Sequence, residues 1–358
     1  MLSDDPYIDD GLVGIKSRMK DIESLLCNES TDVRILGIWG MPGIGKTTVA
    51  SKIFDLISSQ FESQCFVANV REKLQKRTLD CLQDEILSKL LRSDSNAVGI
   101  PIKFSSSVRR QLVRKKVLLV LDDVNDSEQI EFLVGAADIF GPGSRIVITS
   151  RDKQVLGSEG AEIFEVKALN NHEALQLFSL HAFRQNPPTE VYMKLAKRAT
   201  LYAQGIPLAL KVLGSNLCNR SAEEWEDELK KLEGVSDKKI EKILRISYED
   251  LDYNEKQIFL DIASFFKWED IAYVESVLGS CGLYARIGIS RLLDKSLITI
   301  DGKGKLGMHD LLQQMGKDNV RQECINNPRK RSRLWMPRDI YNVLTKDLVR
   351  SKSIALIS

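Results

Sequence analysis

The sequence of 358 residues has few of the residues that build metal sites and disulfide frameworks. It contains three histidines and six cysteines, and no two cysteines form a C-x-x-C pair. A zinc site is therefore not expected, and free thiols in a reducing compartment are the simplest interpretation. No hydrophobic run approaches the roughly 18 residues that a membrane span requires. The first ten residues (MLSDDPYIDD) are acidic and do not resemble a signal peptide.

Neither sign of charge dominates the sequence. Lysine and arginine number 51, aspartate and glutamate number 50, and the formal net charge is +1. Bulk electrostatics therefore indicate neither nucleic acid nor an anionic membrane as a partner. The hydrophobic fraction of 43% is ordinary for a soluble globular protein. The length predicts roughly two or three domains.

What the sequence does contain is a complete phosphate-binding motif, GMPGIGKT, which ends at Thr47. It follows the apolar run VRILGIW and leads into a helical pattern from Thr48, which is the order of elements that a P-loop requires. Glycines such as Gly43 and Gly45 let backbone N–H groups turn toward phosphates. Lys46 supplies a cation for the β- and γ-phosphates, and the Thr47 hydroxyl can bind Mg²⁺. The positive end of the following helix faces the same anion.

A second motif, LLVLDD, ends in the two carboxylates of Asp122 and Asp123. Asp122 is expected at the rim of a sheet, where it can bind Mg²⁺ together with Thr47, directly or through water. Asp123 stands where a base could polarise attacking water, so both aspartates are candidate catalytic residues. The side chain of Asp123 is shorter than the glutamate of fast ATPases, so slow hydrolysis is expected. Arg151 follows the next apolar strand; it is either a γ-phosphate sensor or a surface arginine at a strand end.

The pattern of elements changes twice along the chain. Strands and helices alternate over residues 1–168, which predicts a P-loop NTPase fold with a doubly wound parallel α/β sheet. Residues 169–234 contain four amphipathic helices and are predicted to form a small helical domain. In residues 235–325, helices precede a short β-hairpin and a last helix, which are the parts of a winged helix. The basic segment 326–358 is predicted to be a linker or the start of another module.

Six ordered motifs make the sequence similar to a known family. GMPGIGKTT, LLVLDDV, GSRIVITSRD, GIPLAL, FLDIASFF and MHD together resemble the NB-ARC region of plant intracellular immune receptors, over about residues 9–322. The form of FLDIASFF and the paired aspartates look like the subclass that carries an N-terminal TIR domain. The family usually has Cys at the position of Ser264 and Thr at that of Ser150, and both differences are small. The resemblance implies a nucleotide-binding domain, a helical ARC1 domain and a winged-helix ARC2 domain.

The resemblance also implies roles for residues far from the P-loop. Val13 matches the motif that contacts adenine, and Pro207 of GIPL is expected against the base. His309 of MHD is expected to reach the β-phosphate of ADP from the winged-helix domain. From the sequence alone His309 would be interpreted as a partly buried structural histidine, and the motif match reverses that interpretation. One nucleotide could then contact both Lys46 and His309 and hold two domains closed.

For the function, the resemblance implies an ADP/ATP-dependent switch of a disease resistance receptor. ADP, or ATP with Mg²⁺, is the expected ligand, and ADP is expected to maintain the resting state. The protein is expected to be a monomer with ADP and a homo-oligomer when active, in the cytoplasm or in both nucleus and cytoplasm. No TIR or leucine-rich-repeat sequence is recognisable, so these domains are expected elsewhere in a larger receptor. Any NAD⁺ cleavage would belong to the TIR domain.

Two other classes of function remain open at this point. The first is a productive AAA+-like ATPase, which sustained turnover would reveal. The second is a nucleotide-regulated winged-helix protein that binds DNA directly. Its candidate helix at 284–294 carries only two arginines, which argues against DNA and in favour of no direct nucleic-acid partner. The basic run at 329–333 could serve as a nuclear signal, but a solvated linker is the expected interpretation.

Overall fold

The computed structural model describes residues 12–26, 32–91, 105–135, 137–157, 160–183, 189–232 and 237–345. The chain divides into two compact units, Met1–Lys167 and Ala168–Ser358. The predicted boundary between residues 234 and 235 lies outside the described residues, and so does the end of the basic segment, 346–358. The two units are described separately below.

The first unit combines strands with helices. Its strands are β1 (Arg34–Trp39), β2 (Ser63–Val67), β3 (Val117–Val124), β4 (Arg145–Ser150) and β5 (Glu162–Glu165). Its helices are α1 (Ile15–Leu26), α2 (Lys46–Ile57), α3 (Val70–Lys76), α4 (Leu79–Leu91), α5 (Ser106–Leu112), α6 (Ser127–Val134) and α7 (Lys153–Gly157), with 3₁₀ turns at Ser58–Gln60 and Ala137–Ile139.

The five strands form one parallel sheet in the order β2-β3-β4-β1-β5. Every residue of β4 is buried, and so is nearly every residue of β3, as a central parallel strand covered on both faces requires. The predicted doubly wound parallel fold is thus confirmed. Because β3, β4 and β1 are neighbours, their carboxyl ends lie side by side, at the edge where open α/β sheets bind ligands.

Two predicted elements of the first unit are displaced by local backbone geometry. The apolar run at 65–70 predicts a strand, but β2 ends earlier, at Val67, because Asn69 adopts a left-handed conformation (φ 51°) and Val70 already begins α3. The pattern at 108–114 predicts a helix, but α5 begins earlier, because the Ser105 hydroxyl accepts a hydrogen bond from the N–H of Val108 and caps the helix.

The second unit is mainly helical. Its helices are α8 (Asn171–Ala182), α9 (Glu190–Ala203), α10 (Pro207–Leu217), α11 (Ala222–Leu232), α12 (Lys238–Glu249), α13 (Tyr253–Asp261), α14 (Ile271–Ser280), α15 (Ala285–Asp294), α16 (Asp310–Glu323) and α17 (Pro337–Thr345). Strands β6 (Thr299–Ile300) and β7 (Leu306–Gly307) form an antiparallel hairpin. A π-helical turn, Ile262–Phe266, continues α13, and Pro328–Lys330 is a 3₁₀ turn.

The helices and hairpin from α12 to α16 confirm the predicted winged helix. The sequence pattern at 255–265, which includes most of FLDIASFF, predicts a helix; in the structure the π turn Ile262–Phe266 replaces its last α-helical residues. The carbonyl of Ala263 accepts a hydrogen bond from Gln313 Nε2 on α16 (3.0 Å). Gly316 lets α16 approach this turn closely, since a Cβ at that position would lie 2.7 Å from the Cβ of Ala263. None of the helices in the described ranges is long and apolar enough to cross a membrane.

The segment that follows α16 differs from the solvated linker predicted for it. Arg331 is 6% exposed and Arg333 is 4% exposed. Arg331 donates hydrogen bonds to the carbonyl of Cys324 and to Asp339 on α17, both at 2.8 Å. Arg333 pairs with Asp261 at 2.5 Å, at the junction of α13 and the π turn. These two arginines therefore anchor the segment to the winged helix, and they are not accessible as a nuclear signal.

Candidate functional site

The P-loop joins β1 to α2 through glycines in left-handed or related conformations. The φ angles of Gly40, Gly43 and Gly45 are 149°, 78° and 101°, values that residues with a Cβ rarely adopt. No side chain caps the N-terminus of α2, which begins at Lys46 directly after Gly45. The first N–H groups of α2, those of Thr47 and Thr48 among them, therefore suit an anion better than any neighbouring side chain.

Lys46 is the buried cation of this site. It is 8% exposed, and its Nζ donates hydrogen bonds to the carbonyls of Gly40 (2.7 Å) and Met41 (3.0 Å). Burial, helped by the positive charge of Arg151, lowers the pKa of Lys46 to about 7, although Asp123 and Asp122 act in the opposite direction. A buried ammonium of this kind needs negative charge beside it, which a phosphate supplies.

Asp122 provides the oxygen atoms expected of a Mg²⁺ site. Its Oδ1 accepts hydrogen bonds from the hydroxyls of Thr47 and Thr149, both at 2.8 Å. Its Oδ2 is buried and makes no hydrogen bond within the described residues. Those residues contain no cluster of three or more metal-ligating side chains. The donors fit Mg²⁺, which is usually held by one or two carboxylates together with phosphate oxygens and water.

Asp123 and Arg151 form an ion pair beside this pair of hydroxyls. Arg151 Nη2 lies 2.9 Å from Asp123 Oδ2, and each side chain is 20% exposed. Arg151 follows β4 directly, so it lies at the carboxyl edge of the sheet, as predicted. It is not a freely solvated surface arginine.

The low pKa of Lys46 predicts how nucleotide affinity depends on pH. Bound phosphate stabilises the charged form of Lys46, whereas in the nucleotide-free protein the Lys46 ammonium loses its proton above pH 7. Affinity for nucleoside diphosphate is therefore expected to fall by up to about tenfold between pH 7 and pH 8.5. Phosphate groups themselves ionise near pH 6, so this interval reports the lysine. Calorimetric titrations at the two pH values test the prediction, and equal affinities would mean that Lys46 stays charged in the free protein.

The N-terminal segment of the first unit is fixed by a residue that the sequence analysis missed. Val13 is half-buried in the turn that precedes α1. Arg18 donates hydrogen bonds to the carbonyls of Gly14 (2.7 Å) and Lys167 (2.8 Å). It thus ties this turn to the end of the first unit. The signal in the sequence was an arginine four positions after the glycine of the motif, which by itself suggests only an exposed helical residue.

In the second unit, His309 is held as a hydrogen-bond donor. Its Nδ1 accepts a hydrogen bond from the N–H of Leu311 (3.2 Å) and caps α16, so the proton of the neutral ring is on Nε2. Burial lowers the pKa of His309 to about 4, although Asp310 and the Gln204 backbone act in the opposite direction. Nε2 is buried and makes no hydrogen bond of good geometry within the described residues. The ring is therefore a neutral donor suited to an anion.

The turn that carries Pro207 lies next to the MHD residues within the second unit. Gln204 ends α9 in a left-handed conformation (φ 45°), and Pro207 begins α10. The carboxylate of Asp310 accepts hydrogen bonds from Gln204 Nε2 and Lys267 Nζ. The N–H of Asp310 also donates to Gln204 Oε1 (3.4 Å). The structure thus brings Pro207 and His309 to one region of the second unit.

The arginines of the candidate DNA-reading helix are close to acidic groups. Arg286 on α15 lies 3.8 Å from Glu275, and Arg291 lies 3.6 Å from Glu255. The charge of Arg291, which is 25% exposed, is therefore partly neutralised, whereas Arg286 is 91% exposed and its long contact with Glu275 is weak.

The fold and these residues define a class of protein. Residues 15–187 match the NB-ARC domain, and residues 252–324 match the winged-helix domain described as "Disease resistance protein Roq1-like". The structure is similar to that of the Walker-type ATPase PABY2304 of Pyrococcus abyssi, with a TM-score of 0.63 and 14% sequence identity, over 86% of this chain and 96% of that one. The chain has a P-loop NTPase fold followed by a winged-helix domain.

Its relatives specify the family further. The chain is 43% identical over 349 residues to disease resistance protein RUN1 of Vitis rotundifolia, covering 96% of this chain and 26% of the relative. It is 40% identical over 343 residues to TMV resistance protein N of Nicotiana glutinosa, covering 94% and 30%. The chain thus contains an NB-ARC domain and a winged-helix domain of the kind found in plant disease resistance proteins. It spans only about a quarter to a third of these relatives.

Proposed function

We propose that this chain is the adenine-nucleotide switch of a plant disease resistance receptor. ADP maintains the resting state, and its replacement by ATP with Mg²⁺ permits opening and oligomerisation for defence signalling. Lys46, Thr47 and Asp122 bind the phosphates and the metal ion from the first unit. Val13 and Pro207 contact the base, and His309 contacts the β-phosphate.

One observation favours a switch over an ordinary ATPase. The winged-helix part of the chain contains a half-buried imidazole, His309, whose Nδ1 accepts a hydrogen bond from the backbone and whose buried Nε2 has no hydrogen-bond partner within the described residues. A histidine that served only as a helix cap would not need its second nitrogen buried without a strong partner. A phosphate oxygen would satisfy that donor, which supports the proposed contact of His309 with the β-phosphate.

A few hydrogen bonds to the phosphates can supply the free energy that such a switch requires. A ligand moves a two-state equilibrium only through its different affinity for the two states. Changing a population from 1:99 to 99:1 requires about 5.5 kcal/mol. Hydrogen bonds to charged groups contribute about 1.5–3 kcal/mol each. Two to four phosphate contacts made in only one state are therefore sufficient.

The most direct test identifies the nucleotide that co-purifies with the protein. Mass spectrometry after denaturation, combined with light scattering of the same sample, is expected to find ADP in a monomer and ATP in an oligomer. A protein that purifies without adenine nucleotide and binds none on titration would contradict the proposal. Steady-state hydrolysis well above about one turnover per minute, which is slow on the enzymatic scale, would instead favour the productive AAA+-like ATPase.

Replacing Asp310 with valine is expected to speed the release of ADP. Valine cannot accept the hydrogen bonds of Gln204 and Lys267, so the start of α16 and His309 lose their fixed position. We expect dissociation at least about tenfold faster, which corresponds to roughly 1.4 kcal/mol. Release of a fluorescent ADP analogue, followed by stopped flow, measures the rate. Asp227→Val, at an exposed position on α11, is the matched control, and equal rates for all three proteins would contradict the role of Asp310.

The proposed partners follow from the relatives and the family. The whole receptor would add an N-terminal TIR domain and C-terminal leucine-rich repeats, and it would act in the cytoplasm or in both cytoplasm and nucleus. Expression of the full-length receptor with and without Lys46→Arg, followed by a cell-death assay in leaves, tests whether nucleotide binding controls signalling. Equal signalling by both receptors would contradict the switch.

A further inference from the structure

Asp123 occupies an unusual backbone position at the edge of the sheet. The pairing of β3 with β4 is irregular between Leu121 and Val124, and Asp123 has a φ of 59°. Its N–H donates a hydrogen bond to the Thr149 hydroxyl (2.8 Å) instead of continuing the ladder. Residues other than glycine adopt this left-handed conformation only at an energetic cost, and such positions are concentrated at functional sites. The backbone therefore directs the Asp123 carboxylate toward the end of β4.

The partner at the end of β4 is Arg151, and only part of its guanidinium is used. Nη2 donates to Asp123, whereas Nη1 is buried and makes no hydrogen bond within the part of the chain that the structure describes. Arginine carries its donors in a rigid fork that matches carboxylate and phosphate equally well. Arg151 also lies close enough to Lys46 for its charge to lower the pKa of that lysine. The guanidinium is thus near Lys46, and its Nη1 could donate hydrogen bonds to a phosphate.

We propose that Asp123 competes with the terminal phosphate of a nucleoside triphosphate for Arg151, and so determines the preference of the site for diphosphate. This inference rests on the proposed function, which supplies the nucleotides. A γ-phosphate that binds Arg151 takes up part of the positive charge that Asp123 otherwise shares with no other anion, and it also comes close to the Asp123 carboxylate, which repels it. A diphosphate lacks that group and leaves the ion pair intact. Asp123 is then a specificity-determining residue that acts through Arg151.

The test is the ratio of triphosphate to diphosphate affinity. ADP and a non-hydrolysable ATP analogue are titrated, with Mg²⁺, into the purified full chain after removal of bound nucleotide. Asp123→Asn keeps the side-chain shape, and asparagine tolerates a left-handed backbone. We expect this variant to raise the ratio about tenfold, the effect of a difference near 1.4 kcal/mol. Asp123→Gly, which fits the same φ without strain, should shift the ratio in the same direction and guards against a folding defect.

A double-mutant cycle separates the action through Arg151 from simple repulsion. In an Arg151→Gln background, Asp123→Asn is expected to change the ratio of triphosphate to diphosphate affinity by less than about twofold. The effect becomes small because Asp123 acts through Arg151, and residues in contact are energetically coupled. A full tenfold effect without Arg151 would overturn the proposal. Asp126→Asn, at the exposed N-cap of α6, is the matched control and should leave the ratio unchanged.

Two further outcomes are distinguishable. If Asp123→Asn leaves the affinity ratio unchanged but abolishes single-turnover hydrolysis of ATP, Asp123 is a general base, and the competition proposal is wrong while the proposed switch stands. If the wild-type chain binds neither nucleotide, the proposed function itself fails, and the inference fails with it.

Discussion

Arginine in place of Lys46 is expected to weaken nucleotide binding by at least about 100-fold. Lys46 is almost fully buried, and its Nζ lies within 3.0 Å of two P-loop carbonyls. A guanidinium is planar and larger than an ammonium, so it cannot occupy this position without moving the loop. Contacts to the β- and γ-phosphates are then lost together. Two charge-assisted contacts of about 1.5–3 kcal/mol each account for at least the 100-fold change.

Calorimetric titration of ADP into the nucleotide-free variant measures this effect. Lys20→Arg, on the exposed face of α1, makes the same chemical change away from the site and should bind as the wild type does. Circular dichroism establishes that the variant is folded. Unchanged affinity in a folded Lys46→Arg protein would exclude this loop as the nucleotide site.

Replacing Arg333 with glutamine is expected to produce the largest loss of stability. Arg333 donates to Asp261 and also to the carbonyl and the side-chain oxygen of Gln257. The side chains of Arg333 and Asp261 are only 5% and 13% exposed. Removing the arginine leaves a nearly buried carboxylate without its countercharge, which typically costs about 3–5 kcal/mol. For a unit of this size the expected fall in melting temperature is roughly 6–20 °C.

Differential scanning calorimetry of the full chain measures the change, with Lys330→Gln as the control. Lys330 belongs to the same basic run but is exposed, so its replacement should alter the free energy of unfolding by less than about 0.5 kcal/mol. The double variant Arg333→Met, Asp261→Leu should recover part of the loss, because it leaves no unpaired buried charge. Equal melting temperatures for Arg333→Gln and Lys330→Gln would contradict the burial of this ion pair.

The parts of the site that the sequence predicted are those whose geometry is set locally. The P-loop glycines tolerate the positive φ angles that the loop requires, and Lys46 follows Gly45 directly at the start of α2. The sequence pattern also predicts a helix over 207–217, the observed bounds of α10, since Pro207 favours the first position of a helix and the amphipathic spacing continues from there. In each case the physical cause lies within a few residues of its effect, so a local pattern is sufficient to reveal it.

The features that could not be predicted join residues far apart in the chain. Arg333 and Asp261 are separated by 72 positions, and Gln204 and Asp310 by 106. No periodicity or motif pairs such residues, because the pairing depends on how helices pack. The basic run therefore suggested a solvated linker, although two of its arginines are buried. The pairing of Asp123 with Arg151 was missed for the same reason, even though each residue had been singled out separately.

The buried arginines also determine how mechanical load would enter the winged helix. Tension applied at the end of α17 reaches Arg331 through its ion pair with Asp339. The backbone then transmits it to Arg333, which forms an ion pair with Asp261 at the start of the π turn. That turn leads directly to Lys267, the ionic partner of Asp310. The path from the C-terminal helix to the MHD residues thus consists of three ion pairs and two short stretches of backbone, 331–333 and 261–267. Tension on α17 would therefore be transmitted to Asp310, the residue next to His309.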